Sequence, residues 1–337
     1  MDIIAVDHPG EAQIRAWHAV VTGALAHDQP EEPLPTLEQT TGFVTGSQLS
    51  SRRLLWTAVA TESPAAGTTV GVASLRLPTE PDSRRPCAVE VRVHPGHRRQ
   101  GTGTLLLHTA ADAVRADARS TVMAQAVADT PAIGFLEARG FRCVLVLAGL
   151  VLSIDQVNRD WLAGIVAAGP PGYRLVRWTG TVPDKFAESF AHAKSAMGDA
   201  PVGDAAGEPA FEPMKWGADR VREMAEVVAK RGDDLYTVAA VHGDTVAGFT
   251  EIVISTSAPA RAAQYDTAVV PEHRGKRLGI WVKAAMLEWL LADRPDVREI
   301  ETDNADDNAH MLAVNEELGF RRQREYREYQ ADVADLP

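Results

Sequence analysis

Two segments of the chain combine a proline, basic residues and glycines in the same order. The first runs from Pro95 to Gly103 as PGHRRQGTG, and the second runs from Pro271 to Gly279 as PEHRGKRLG. Each follows an apolar run that predicts a strand and precedes a run that predicts a helix. The N-terminus of a helix attracts anions through its unpaired N–H groups and its dipole, and glycine lets an anion approach the backbone. Both segments are therefore predicted to bind phosphate.

Carboxylates precede the two segments at matching positions. Glu90 and Asp266 lie 176 residues apart, which is also the separation of Pro95 and Pro271. A third carboxylate, Glu251, lies among apolar residues in the strand before Asp266. Burial raises the pKa of a carboxyl group and suits it to accept a proton near neutral pH, so all three are candidate general bases. The alternative for each is an exposed side chain or an ion-pair partner.

All five tyrosines lie in the second half of the chain. A tyrosine that protonates a leaving group is therefore expected from that half, and Tyr326 is the candidate. The alternative is that these rings fill the core face of strands.

The elements that would hold these residues occur in the same order in both halves. Each half has a helix, a strand hairpin, a strand, the basic loop, a second helix, a strand and a third helix, and then Gly140-Phe141 in the first half or Gly319-Phe320 in the second. The separation between the halves is 176 residues at the prolines of the loops and 179 residues at the Gly-Phe pairs. This near-constant separation indicates duplication of one domain. We predict domains at 1–155 and 173–337, joined by a linker at 156–172.

Hydrophobic periodicity and turn residues predict the individual elements. The first half is predicted to contain strands at 2–6, 54–60, 70–77 and 120–127, helices at 11–26 and 130–138, a loop at 27–41 and a strand pair at 141–154. The second half is predicted to contain strands at 173–178, 236–241, 246–255, 265–270, 297–302 and from Phe320 onward, helices at 182–197, 218–230, 280–291 and 305–318, and a loop at 198–213.

Composition narrows the class of protein. The chain has 337 residues, of which 45% are hydrophobic and 24% charged, and its formal net charge is −12. This acidity argues against a nucleic-acid partner. No apolar run approaches the roughly 18 residues of a membrane span and no signal sequence is recognised, so we expect a cytoplasmic protein without a membrane partner. The cysteines Cys87 and Cys143 match no metal or disulfide pattern.

The pattern Pro-x-x-Arg-x-x-Gly-x-Gly after a strand, followed by helix, strand, helix and Gly-Phe, resembles the GCN5-related N-acetyltransferase (GNAT) family. It occurs here as Pro95, Arg98, Gly101, Gly103 and Gly140-Phe141, and again as Pro271, Arg274, Gly279, Asn304, Asn308 and Gly319-Phe320. The resemblance covers most of both halves and is to the tandem-domain type that includes mycothiol synthase-like acetyltransferases. It implies an α/β (α+β) fold with two tandem domains, each a mostly antiparallel, splayed mixed sheet flanked by helices.

The resemblance also implies acetyl-CoA as the co-substrate, and no metal. The pyrophosphate would bind the loop amides, and the pantetheine arm would pair with the backbone of the preceding strand. In the first half the implied contacts are Val91, Val93, Arg98, Arg99, Gln100, Gly101, Thr102, Gly103 and Thr104. In the second half they are Ala268, Val269, Val270, Arg274, Gly275, Lys276, Arg277, Leu278, Gly279, Asn304 and Asn308.

The resemblance finally implies direct attack of an amine on the thioester, with no covalent enzyme intermediate. We therefore expect an N-acetyltransferase that acts on a small-molecule amine, as a monomer or homodimer. Asn308 and the tyrosines favour the second half as the catalytic unit, whereas the intact Gly101 and Gly103 favour the first. The alternative functions are an acyl-CoA sensor without turnover and a protein-lysine acetyltransferase.

Overall fold

The computed structural model describes residues 1–46, 51–62, 64–79, 86–199 and 216–336. Within these ranges the chain forms nine α-helices and twelve β-strands. They belong to two compact units. The first unit comprises the chain up to Val146 and the chain from Tyr326 onward, and the second comprises the described residues from Leu147 to Glu325.

The first unit combines a mixed sheet with four helices. Its strands include β1 (Asp2–Ala5), β2 (Ser51–Val59), β3 (Thr69–Pro78), β4 (Cys87–Val93) and β5 (Thr121–Val127). Its helices are α1 (Glu11–Asp28), α2 (Leu37–Thr45), α3 (Thr102–Ala116) and α4 (Pro131–Glu137). The strands are neighbours in the order β1-β2-β3-β4-β5, and only the β4–β5 pair is parallel.

The second unit repeats this arrangement. The remaining strands are β6 (Arg142–Ser153), β7 (Tyr173–Thr179), β8 (Asp234–His242), β9 (Thr245–Ile254), β10 (Arg261–Val269), β11 (Glu299–Ala305) and β12 (Arg321–Asp332). The remaining helices are α5 (Arg159–Ala167), α6 (Ala187–Ser195), α7 (Ala218–Lys230), α8 (Leu278–Asp293) and α9 (Ala309–Glu317). The strand order is β6-β11-β10-β9-β8-β7, and only the β10–β11 pair is parallel.

Two strands, β6 and β12, have residues in both units. β6 passes from the first unit to the second after Val146, and β12 passes from the second to the first at Tyr326. Residues 326–332 then pair antiparallel with β5. The boundaries of the compact units, after Val146 and after Glu325, therefore differ from those of the predicted ranges 1–155 and 173–337. The strand pair predicted at 141–154 is wrong, because these residues form one continuous strand.

Two predicted connections contain helices. The loop predicted at 27–41 ends too late, because α2 begins at Leu37. Thr36 and Gln39 form a capping box there, in which each side chain accepts a hydrogen bond from the other residue's N–H group. The linker predicted at 156–172 contains α5, which packs on α8 and buries Leu162 in the core of the second unit. Most of the loop predicted at 198–213 lies outside the described residues.

The helices that flank the candidate site are amphipathic or fully buried. Helix α1 buries Ile14, Trp17, Val20 and Ala24, which recur every three or four residues and so form the face that packs on β3 and β4. Helix α8 is apolar on most sides because it lies in the core of the second unit. None of the described helices is both long and apolar enough to cross a membrane.

In both units the parallel strand pair opens after a few residues. β4 and β5 pair only at Cys87–Val122 and Ala88–Met123, and the rest of the two strands lines opposite sides of a cleft. β10 and β11 pair only through residues 261–263 and 299–301. A β-bulge interrupts β10 between Gln264 and Thr267. The predicted splayed, mostly antiparallel sheets are confirmed, and the opening leaves backbone groups without a ladder partner.

Candidate active site

The loop at the N-terminus of α3 has the geometry of an anion site. After β4, a 3-10 turn over Pro95–His97 redirects the chain, and Arg99 and Gly101 take positive φ values of 62° and 84°. Gly101 is the N-cap of α3, so the helix begins at Thr102 with its first N–H groups unused by the helix. Gly101 and the first three residues of α3 line the cleft. The first turn therefore offers backbone donors to a ligand there.

Arg98 and its counterpart Arg274 attach the two loops to the preceding strands. Arg98 donates from Nε to the carbonyl of Val93 over 3.0 Å, and Arg274 donates from Nε to the carbonyl of Val269 over 3.1 Å. The Arg98 guanidinium also donates twice to the Asp28 carboxylate, at 2.7 Å each. Three donors of Arg98 are thus used inside the protein, so this arginine fixes the loop, a role that the sequence pattern did not indicate.

Arg139 lies in the same cleft and is a residue that the sequence reasoning missed. Its guanidinium stacks 3.9 Å from the centroid of the Phe135 ring and donates to the Thr104 hydroxyl. Its Nε is buried with no hydrogen-bond partner among the described residues. Burial and the nearby charge of Arg99 lower the pKa of Arg139. A bound phosphate oxygen would satisfy this donor and relieve the repulsion between the two arginines.

The cleft has a volume of about 560 Å³ and runs between β4 and β5. Val91 and Val93 contribute to one side, and Ala124 to Val127 contribute to the other. Tyr326 also lines it, because residues 326–332 pair with β5 and place Tyr326 opposite Val127. The candidate acid Tyr326 therefore lies in the first unit, although the sequence favoured the second half as the catalytic unit. Its side chain belongs to the unit with the intact glycine loop.

A smaller pocket of about 190 Å³ adjoins the cleft at Glu90 and Arg92, which line both spaces. Helices α1 and α2 contribute the rings of Trp17 and Phe43, and β3 contributes Ser74. The Glu90 side chain is 48% exposed and accepts a hydrogen bond from Arg92 Nε over 2.6 Å. Glu90 therefore borders both the cleft and a pocket with aromatic walls.

In the second unit, the basic side chains of the loop bind protein groups. Arg277 is the N-cap of α8 with a φ of 59°, at the position where the first unit has Gly101. Its side chain forms an ion pair with Glu317 on α9 at 2.7 Å. Lys276 donates to the Tyr173 hydroxyl over 3.0 Å. Phosphate contact by these two side chains would require them to leave their partners, whereas the backbone amides of Gly275 to Gly279 are not affected.

Lys194 joins the two candidate bases of the second unit. Its Nζ lies 2.5 Å from Glu251 Oε2 and 2.8 Å from Asp266 Oδ2. Burial raises the pKa of Glu251. Burial also lowers the pKa of Lys194, but the charges and hydrogen bonds of the two carboxylates outweigh this effect and raise it. Both carboxylates are therefore engaged with an internal ammonium group.

The sequence reasoning missed Lys194, although a signal exists. Lys194 follows Phe190 by one helical turn on α6, and both residues are buried. A lysine on the apolar face of a helix is rarely buried without a charged partner. That partner can be sought among carboxylates in apolar strands, which here are Glu251 and Asp266.

Asn304 and Asn308 build the connection between β11 and α9. The Asn308 side chain is the N-cap of α9 and accepts from Met311 N over 3.1 Å. Asn304 Oδ1 accepts from Asn315 Nδ2 over 2.6 Å, and Asn315 is fully buried. Their predicted contacts with a donor molecule therefore compete with roles inside the protein.

The strands predicted to pair with pantetheine differ in burial. Val91 and Val93 are half-buried and line the cleft of the first unit. In the second unit, Ala268 and Val270 are buried and Val269 packs against the core. Among the described residues, no group of three or more His, Cys, Asp or Glu side chains is placed to hold a metal ion.

Comparison with known families identifies the class of protein. The profile of the Acetyltransferase (GNAT) family matches residues 23–141 and 207–320. These ranges include well over half of the chain, so the chain belongs to this family. The two matches confirm the tandem arrangement that the repeat predicted. No curated protein matches the chain.

Solved structures agree with this assignment. A tandem GNAT protein from the clavulanic acid biosynthesis pathway, solved without AcCoA, is 28% identical with a TM-score of 0.78, and the alignment covers 98% of each chain. A GCN5-related N-acetyltransferase from Sphaerobacter thermophilus is 17% identical with a TM-score of 0.69, over 99% of this chain and 96% of that one. The second similarity concerns the fold alone.

Proposed function

We propose that this protein transfers an acetyl group from acetyl-CoA to an amine of a small molecule, and that the first unit performs the reaction. The observation that carries the proposal is the meeting of the large cleft and the aromatic pocket at Glu90. The 28% identical neighbour from the clavulanic acid pathway supports acetyl-CoA as the ligand, since its structure is described with reference to AcCoA. This assignment reverses the preference for the second half that the sequence favoured.

The residues of the first unit fit the donor. The pyrophosphate would bind the amides of the first turn of α3, and Arg99 and Arg139 would supply charge. The unpaired Nε of Arg139 and the buried Thr102 hydroxyl, which also has no partner among the described residues, are donors that such a group would satisfy. The pantetheine arm would add to the open edge of β4 at Val91 and Val93.

The acid and the base of the reaction would come from opposite sides of the cleft. Acetyl-CoA supplies the thioester carbonyl carbon, to which the acceptor nitrogen bonds as the C–S bond breaks. Glu90 accepts the proton that the acceptor ammonium must lose before its nitrogen can attack. Tyr326 donates a proton to the sulfur that leaves, and the second proton that the nitrogen loses as the amide forms replaces it, while the proton on Glu90 passes to solvent. The products are the N-acetylated amine and the free coenzyme thiol, with no covalent bond to the protein.

Paired substitutions of the loop glycines test which unit reacts. A Cβ at Gly103 would lie 3.0 Å from the Phe135 ring, whereas a Cβ at Gly279 would meet only Val269, at 4.0 Å. Glutamate at either position places a negative charge at the proposed phosphate site of that unit. We expect Gly103→Glu to abolish thiol release with a panel of amines and Gly279→Glu to leave it within about twofold, a margin set by ordinary surface effects. The reverse pattern would assign the reaction to the second unit.

Calorimetry with acetyl-CoA separates the enzyme from the alternative function. An enzyme binds acetyl-CoA and releases thiol with at least one amine of the panel. A sensor binds acetyl-CoA, loses that binding in Gly103→Glu and releases no thiol with any amine. Circular dichroism of both variants shows whether each remains folded.

A further inference from the structure

The space beneath α1 in the first unit is a pocket, whereas the space beneath α6 in the second unit is filled by a side chain. In the first unit, Ser74 on β3 pairs with Glu90 on β4 beneath α1, and a pocket with aromatic walls lies there. In the second unit, Glu251 on β9 lies opposite the bulge of β10 that contains Asp266, beneath α6. The Lys194 side chain, which extends from α6, occupies this place. A residue of the chain thus stands in the second unit where the first unit has a pocket.

The surroundings of Lys194 are those of a recognition site for a primary ammonium ion. Two carboxylate oxygens accept hydrogen bonds from Nζ. Three aromatic rings surround it, with centroids 4.5 Å away for Trp216, 5.3 Å for Phe249 and 5.7 Å for Phe190. Charged hydrogen bonds and cation–π contacts are the two interactions that select an ammonium ion in a dry site. The Lys194 side chain is 1% exposed and that of Glu251 is 4% exposed, so these two groups meet almost no water, whereas Asp266 is 30% exposed.

We propose that the second unit contains an ammonium-binding site that is filled by the chain's own Lys194, which stands where an acceptor amine would bind. While Lys194 is in place, no free amine can reach Glu251 and Asp266 from this position. The second unit therefore recognises an amine without acetylating one. The ammonium site is independent of the first unit's activity, whereas its correspondence to an acceptor site rests on the proposed function.

The proposal is tested by truncating the Lys194 side chain and adding an amine that can take its place. Lys194→Ala deletes three carbons and the ammonium group, which together correspond to n-propylammonium. The substitution leaves the buried Glu251 and the half-buried Asp266 without a counter-ion, so we expect the midpoint of thermal unfolding to fall by roughly 10 °C at pH 7. Saturating n-propylamine should restore at least half of this loss, with a dependence on amine concentration that reaches a plateau.

Matched controls separate the ammonium site from general effects of the amine. 1-Propanol has nearly the same shape but no charge, and it should not rescue Lys194→Ala. Lys194→Met also removes the charge but fills the space, and n-propylamine should not rescue it. Equal rescue by propanol, or equal rescue of Lys194→Met, would overturn the proposal, as would an unchanged unfolding midpoint in Lys194→Ala.

A refolding experiment covers the case in which Lys194→Ala does not fold by itself. Denatured Lys194→Ala is refolded with and without n-propylamine, next to the double variant Lys194→Ala/Glu251→Gln, which has one buried charge fewer. We expect the amine to increase the folded yield of the single variant several-fold and to have a much smaller effect on the double variant. The same response in both variants would contradict the site.

Discussion

Tyr326 and Tyr329 lie on the same strand of the first unit but have different surroundings. Tyr326 lines the cleft, whereas Tyr329 is fully buried and donates to Glu137 over 3.0 Å. Because the proposal gives Tyr326 only the proton for the leaving sulfur, Tyr326→Phe should lower kcat about 10-fold to 100-fold and leave the KM for acetyl-CoA nearly unchanged. Steady-state thiol release measures both constants.

Tyr329→Phe is the matched control for that substitution. It removes a hydroxyl from the core, so it should lower the free energy of unfolding by about 1 kcal/mol and leave kcat unchanged. Urea denaturation measures the first quantity. If the two variants have the same kcat, Tyr326 is not the acid.

Lys283 is a buried cation at the position where the first unit has Leu107. It donates to Gln264 Oε1 over 2.9 Å, and burial lowers its pKa to about 7. An unfolded lysine has a pKa of about 10.4, so the unfolded state binds more protons between pH 7 and pH 10. Stability contributed by this group is therefore complete above pH 10, declines as the pH falls to 7 and changes little below that.

Lys283→Leu should remove this pH dependence. The free energy of unfolding of the wild type, relative to Lys283→Leu, should rise by about 2 kcal/mol from pH 7 to pH 9. Urea denaturation at several pH values measures the difference. Parallel pH profiles for the two proteins would show that Lys283 keeps an ordinary pKa in the fold.

At the scale of residues, sequence patterns identified the candidate side chains better than the residues that those side chains contact. Glu251 was predicted to lie in an apolar environment, and it does, but its partner Lys194 lies 57 positions away along the chain. Arg139 reaches the loop through Thr104, which is 35 positions distant. Such contacts depend on how helices pack on the sheet, and periodicity within one segment contains no information about them.

Helix α3 depends on a left-handed residue at its start. Gly101 has a φ of 84°, and a Cβ there would contact nothing within 4 Å, so strain in the backbone is the only effect expected from alanine. Gly134, in α4, also has open space at its Cβ position but no positive φ. Gly101→Ala should therefore lower the free energy of unfolding by about 1 kcal/mol, whereas Gly134→Ala should raise it by about 0.5 kcal/mol. Urea denaturation of both variants checks the opposite signs, and two changes of the same sign would contradict this account.

At the scale of elements, most helices and strands follow from the sequence because apolar residues repeat with the period of each element. Helix α7 is formed over the predicted range, Ala218–Lys230. Helix α2 was missed because the preceding prolines and acids suggested a loop, although Thr36 and Gln39 have the spacing of a capping box. Helix α5 was missed because the glycines and prolines that follow it suggested a linker over the whole segment.

Neither half of the sequence contains a complete unit. The first unit needs residues 326–332 to pair with β5, and Tyr329 and Val333 belong to its core. We therefore expect a fragment of residues 1–155 to lack a cooperative unfolding transition. Joining residues 326–336 to that fragment through a flexible Gly/Ser linker should restore one. Circular dichroism during urea titration measures both fragments, and cooperative unfolding of 1–155 alone would contradict the expectation.

At the scale of the whole molecule, the sequence predicted the duplication. It did not predict that the part of β12 from Tyr326 onward belongs to the first unit. Constant spacing between Pro95 and Pro271 is a property of the sequence itself. Which strand lies beside β5 is instead decided by pairing between residues about 200 positions apart, such as Gln125 and Glu328. The same pairing brings Tyr326 to the cleft of the first unit, so the position of Tyr326 and the difference between the compact units and the predicted ranges have one cause.

The position of β12 late in the sequence also affects folding during synthesis. Ribosomes extend a chain by about 5–20 residues per second, and N-terminal domains generally fold before the rest of the chain is made. Here roughly 180 residues separate Val146 from Tyr326, so the first unit would wait about 10 to 35 s for its last strand. During that interval the edge of β5 is open to other partners. Nascent chains of this protein should therefore bind chaperones until residues 326–332 have been synthesised and can pair with β5.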